Sequence, residues 1–230
     1  MMKYLYSLAL LGFSFAPWVH AEGELPNFEL GLGGGIAKTE PAFNIDLTVN
    51  IPISKRWSSQ INLDSDYIFN DTNYEDYSMS EFNAIGFYRH DNWRAGAGMG
   101  LLEKKSRDDS FPTERVGIAR FLASYYWQDI TLDWQYANYN DDFDRAVSME
   151  LGALWYLDDI RKVALYAEDQ VRGTGWRLEA FIQPEKRRNQ LAYGAILRNG
   201  KGDSYPYVGF EMRYYFDRTM PIKQRDRLYH

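Results

Sequence analysis

The side chains in this sequence best placed to do chemistry are ionic. Asp46, Asp64, Asp66, Glu81, Asp133, Glu150, Glu168, Glu179 and Glu211 all fall in runs where polar and apolar residues alternate, and so do Arg94, Arg120, Arg177, Arg198 and Arg213. Gathered on one surface, carboxylates and guanidiniums can act in two ways. Facing water, they line a passage and set which solutes enter it. In direct contact, they neutralise one another and fill space. Catalysis has less to draw on. The chain has three histidines: His20 near the start, His90 in a short polar turn and His230 as the last residue. A Ser–His–carboxylate set at the opposite, longer-loop end would have no histidine to use. With no cysteine and no His cluster there is no zinc-type site either. Neither a catalytic residue nor a metal or cofactor is expected.

The elements that must hold these charges are short strands. From Phe43 to Ile53, Phe43, Ile45, Leu47, Val49, Ile51 and Ile53 share one face, while Asn44, Asp46, Thr48 and Asn50 share the other. Successive strand side chains point to opposite faces, so this segment separates an apolar from a polar environment. The same pattern runs through Ile61 to Phe69, Ile130 to Tyr136, Val147 to Leu157, Trp176 to Ile182 and Val208 to Phe216. Weaker alternation occupies about 27–37, 79–89, 93–102, 115–127, 162–169 and 190–198. The sum is about twelve strands. Gly31, Gly33 and Gly35, and likewise Gly96, Gly98 and Gly100, fall on the polar face, where they leave room for a solute or for bulky neighbours.

The start of the chain reads differently. Lys3 precedes a mostly apolar stretch from Tyr4 to Phe15, and Val19-His20-Ala21 ends in a small residue. That is the layout of a cleaved secretory signal over 1–21, too short to span a bilayer as a helix. Beyond it no apolar run is long enough for a transmembrane helix. The composition combines 17% aromatic residues with a mean hydropathy of -0.50. Many rings beside many charges suit two segregated surfaces. A formal charge of -6 argues against nucleic acid as a partner.

The connections alternate in length. Ser54 to Arg56, His90 to Asn92, Gln128-Asp129, Asp158 to Arg161 and Pro184 to Asn189 are tight polar turns. The intervening links are longer: Asn70 to Asp76, Glu103 to Glu114, Asn138 to Arg145, Asp169 to Gly175 and Asn199 to Ser204, with Lys38 to Pro41 the exception. Trp57, Trp93, Trp127 and Trp155 stand beside the short turns, and Tyr67, Phe69, Tyr136, Tyr139, Trp176 and Tyr205 near the longer links. Rings at both strand ends are expected where hydrocarbon meets headgroups.

Signal layout, hairpin asymmetry and aromatic strand ends together resemble the Gram-negative outer-membrane β-barrel proteins. The resemblance covers the whole chain after Ala21 but carries no specific motif. It implies an all-β fold, a closed antiparallel transmembrane barrel of about 12 strands over 22–216, with both termini periplasmic. It also implies insertion by the barrel assembly machinery and contact with outer-membrane lipid and lipopolysaccharide, for which the charged loop Glu103 to Glu114 is a candidate. Such barrels commonly end on an aromatic residue of the last strand; here Arg213 to Phe216 fits, yet the tail 217–230 follows. That polar tail is expected to be disordered by default. Its alternatives are a plug in the barrel mouth or a contact with an acidic periplasmic partner. On this layout the ionic residues named above face the lumen. A narrow passive pore for small polar solutes is the functional expectation. The alternative is a non-conducting structural or partner-binding barrel with a charge-paired lumen, and the minor alternatives are an outer-membrane enzyme or a soluble periplasmic barrel.

Overall fold

A computed structural model describes residues 26–69, 77–106, 113–140, 147–170, 173–184, 190–201, 205–216 and 220–229. The expected signal over 1–21, with His20, lies outside them, as do His230 and parts of the longer links. The alternating runs form strands β1 (Asn27–Ala37), β2 (Glu40–Pro52), β3 (Trp57–Ile68), β4 (Tyr77–Arg89), β5 (Trp93–Ser106) and β6 (Glu114–Trp127). They continue with β7 (Ile130–Tyr139), β8 (Val147–Asp158), β9 (Arg161–Gln170), β10 (Gly173–Ile182), β11 (Leu191–Gly200) and β12 (Tyr207–Tyr215). A helix, α1 (Ile222–Tyr229), follows the last strand.

Each strand pairs antiparallel with its sequence neighbours, and β1 pairs with β12 from Glu29↔Tyr215 to Ala37↔Tyr207. The sheet is therefore a closed barrel of twelve strands with no free edge. Among the described residues one irregularity interrupts the ladders, between Tyr156 and Asp158 of β8 where it faces β9. The amide of Phe216 donates to the carbonyl of Phe28, so both ends of the barrel segment meet at one rim. This is the rim of the turns after β2, β4, β6 and β8, here the turn rim; the opposite one is the loop rim. Gln128 and Lys38, with φ of 50° and 59°, are the non-glycine residues in left-handed turn conformation among those described.

The strands run further than side-chain alternation suggested. β5 reaches Ser106 and β10 begins at Gly173, so the link expected over Asp169 to Gly175 shrinks to residues 171–172. The reason is that ladder pairing needs backbone groups, not apolar side chains: Thr174 pairs with Asp169 although both are polar. The difference between the rims is correspondingly weaker than expected, since β9–β10 is short at the loop rim and residues 183–190 separate β10 from β11 at the turn rim.

The barrel is inside out relative to a soluble domain. Phe43, Ile45, Leu63, Leu101, Leu132, Leu151, Leu165 and Phe210 all face outward and are exposed. Trp57, Trp93, Trp127 and Trp155 stand exposed in a ring at the turn rim. Tyr67, Phe69 and Trp176 do so at the loop rim, but Tyr139 and Tyr205 turn inward and are buried, which corrects their assignment to an outer girdle. Their parity is inward, and ring-bearing residues of either parity can stand near a loop. Inside, rings share the space with charges. Phe87 lies opposite Gly96 and Phe181 opposite Gly194; a Cβ on those glycines would stand 2.5 Å and 2.3 Å from the rings. Gly96 and Gly194 thus make room for inward-facing rings, while Gly33 and Gly100 leave space for the Asn44 and Asn83 side chains.

Candidate functional site: the charged lumen and its helix

The lumen has two unlike walls and a closed end. Along β2, β3 and β4, Asp46 sits directly opposite Asp64, and Asp64 directly opposite Glu81, while Asp66 faces Asn44. Like charges in register repel at this spacing. Glu81 accepts hydrogen bonds from Arg120 and Asn83, and Asn44 donates to Asp46 over 3.0 Å. Among the described residues no Arg or Lys forms an ion pair with Asp46, Asp64 or Asp66.

Across the lumen the carboxylates are clamped. Arg177 on β10 reaches Glu150 at 3.0 Å, Glu168 at 2.9 Å and Glu179 at 2.8 Å, with its guanidinium 4.4 Å from the Tyr166 ring centre. Arg198 on β11 adds a second contact to Glu168, at 3.4 Å. Arg213 on β12 meets Glu211 at 2.5 Å and Glu29 at 3.7 Å, over the Phe181 ring. A planar five-donor group is suited to serving several carboxylates at once. Arg120 and Gln135 link the walls, since Arg120 donates to Gln135 over 3.3 Å and Gln135 to Glu150 over 3.5 Å. Arg94 and Asp133 lie nearer the turn rim. Arg94 donates to Ser124 over 3.1 Å and lies 4.9 Å from the Phe87 ring centre.

The fourteen residues singled out in the sequence thus all point inward, ten of them onto one cavity near the turn rim. That cavity, of about 310 Å³, and two adjoining ones of about 310 and 320 Å³ extend toward the loop rim, all three sharing Asp64 and Arg177 as lining. Each has volume for many water molecules. Sequence reasoning missed Glu29 and Lys162. Both lie on the inward parity of their strands, so alternation could have found them.

At the turn rim the lumen meets α1. Of the three fates considered for the tail, its described part adopts the packed one: disorder does not hold for 222–229. Ile222 is fully buried against Phe181, Ala192 and Tyr215, from β10, β11 and β12. Asp226 accepts from Lys162 Nζ at 2.7 Å and from the Tyr156 hydroxyl at 3.0 Å. Arg225, fully buried, stacks 4.0 Å from the Tyr215 ring centre. Arg227 donates to the carbonyls of Gln128 and Ile130, and Lys223 to Asp129 at 2.7 Å. That ammonium holds the Asp129 carboxyl below its ordinary range. At the far end of the helix, Arg89 donates to the Leu228 carbonyl and Gln60 to that of Tyr229. Its first turn therefore touches β10–β12 and its last turn β3 and β4, on the other side of the barrel.

His90 lies in the turn before β5, stacked on Trp93 with ring centres 5.8 Å apart, and is exposed. Among the described residues no group of three or more His, Cys, Asp or Glu is arranged to hold a metal ion.

No protein-family model and no curated protein sequence matches the chain. Solved structures do. The KdgM porin superposes with a TM-score of 0.56 at 10% identity, covering 82% of this chain and 99% of the porin. An outer-membrane channel from Pseudomonas putida F1 superposes with a TM-score of 0.50 at 13% identity, covering 88% of this chain and all of the channel (100%). At such identities the likeness is one of fold. The fold is that of the outer-membrane β-barrel proteins.

Proposed function

We propose that this protein is an outer-membrane barrel whose lumen passes small polar solutes, with cations favoured over anions. The observation that carries the reading is the lumen itself: adjoining cavities, lined by ionic and amide side chains, extend from the loop rim to α1. A barrel of twelve strands lies between those filled by their own side chains and those with wide aqueous channels. The carboxyl groups of β2 and β3, in contact with no Arg or Lys among the described residues, make one side of the lumen acidic, while each carboxylate of the opposite wall is already engaged by a guanidinium. The exposed outer band of aliphatic residues between rings of tryptophan and tyrosine supports placement in a bilayer. In that placement the turn rim and both ends of the barrel segment are periplasmic. Export by the leader over 1–21, insertion by the barrel assembly machinery and contact of the loop rim with lipopolysaccharide belong to the same proposal.

The rival reading, a non-conducting barrel, draws on the Arg177 cluster, where one guanidinium ties three strands together by bridging Glu150, Glu168 and Glu179. Planar-bilayer recording separates the two. The pore reading expects discrete conductance steps and a reversal potential, under a KCl gradient, displaced toward that of potassium. Asp64→Asn with Asp66→Asn should move it toward zero. Silence over a range of salt concentrations and voltages would leave the structural barrel.

A further inference from the structure

We propose that α1 is a tethered plug: seated, it closes the turn rim of the lumen, and by leaving its seat it opens the pore. This rests on the pore reading above. Eight helical residues span about 12 Å at 1.5 Å each, and a helix with its side chains is about 10 Å wide. Laid from β10–β12 to β3–β4, an object of that size crosses the mouth of the barrel instead of lining its wall. Asp226 lines the cavity nearest the turn rim, so the helix forms the floor of that space.

The seat is built for retention without permanence. An immovable stopper would bury a broad apolar face, and here Ile222 and Tyr229, one at each end, are the buried apolar side chains of the helix. Most other anchors are polar and borrowed from the wall: Lys162 and Tyr156 on Asp226, Asp129 on Lys223, strand-end carbonyls on Arg227, Arg89 and Gln60 on the last carbonyls, and the Tyr215 ring on Arg225. Ionic anchors of this kind contribute little net stability, because each partner regains water on separation. An eight-residue helix is also marginal once it leaves its packing. The chain joins α1 to the end of β12, so the unseated helix remains at high local concentration and reseats. Its ionic side chains are three cations against one carboxylate, so a field across the barrel drives the plug in at one polarity and out at the other.

The test compares three proteins in planar bilayers, each first shown to assemble by heat-modifiable mobility. The full chain should open briefly and pass more current at one polarity. A chain lacking residues 218–230 should conduct roughly tenfold more on average, with the polarity dependence gone. The chain has no cysteine, so Asp159→Cys with Lys223→Cys gives a clean lock; the Lys223 amide already donates to the Asp159 carbonyl at 3.1 Å. Made in a Lys162→Met background, which loosens the seat, the pair should conduct when reduced and fall silent when oxidised. If the truncated chain fails to assemble, this lock decides alone. Equal conductance with and without the helix, or in both redox states, overturns the plug and leaves the pore. Silence from every variant overturns both.

Discussion

The two walls of the lumen use the same side-chain chemistry to opposite ends. On β8 to β12, buried carboxylates converge on guanidiniums, and Arg177 alone satisfies three of them. On β2 and β3, Asp46, Asp64 and Asp66 stand beside one another with no cation in contact among the described residues. The first arrangement holds strands together; the second sets acidic groups side by side with no contacting cation to offset their repulsion. Removing one member should therefore hurt on one wall and help on the other.

The largest effect is expected at Arg177. Arg177→Met leaves Glu150, Glu168 and Glu179 inside the barrel without their shared cation, a loss of about 3–5 kcal/mol. A lowered denaturation midpoint in detergent would show it, read from the loss of heat-modifiable mobility. A midpoint unchanged within error would mean that the cluster is well hydrated and that the walls do not differ. Asp64→Asn should act in the opposite direction. It relieves repulsion from Asp46 and Glu81, its direct cross-strand neighbours, for a gain of about 0.2–1 kcal/mol by the same measurement. Destabilisation there would point to a cation or an ordered water network held by the aspartates.

The smallest effect concerns Asp129, an exposed turn residue that lies on neither wall and serves as a control. Its carboxyl is held below the ordinary value of 3.8 by Lys223, so its contribution is present above that pH and is lost as pH falls through the depressed folded value. Asp129→Asn should slightly lower the midpoint at neutral pH, and the gap to the parent should close in acid. A gap that persists in acid strong enough to protonate the carboxyl in the folded protein would assign the effect to the backbone of the turn.

Much of the barrel was legible beforehand because its strands obey a local rule. A side chain's parity along a strand decides whether it meets the outside or the lumen, so Asp46, Glu150 and Arg177 were placed by counting from Phe43, Val147 and Trp176. Where reading failed, the rule did not apply. Tyr139 and Tyr205 were assigned from proximity to loops, not from parity. The polar ends of β5 and β10 carry no alternation, although their backbones pair all the same.

What the sequence determined by itself is therefore the inventory: strands with one apolar and one polar face, the ionic residues on the polar face, and an approximate strand number. Period-two alternation is a property of adjacent residues and survives without knowledge of the rest. Only the tertiary structure decided which charges meet. Arg177 and its partners come from β8, β9 and β10, and Arg213 reaches Glu29 only because β1 closes against β12. Only it, too, placed α1. An eight-residue helix has too little intrinsic stability to announce itself, and the groups that hold it in the barrel mouth come from strands as far apart as β3 and β12.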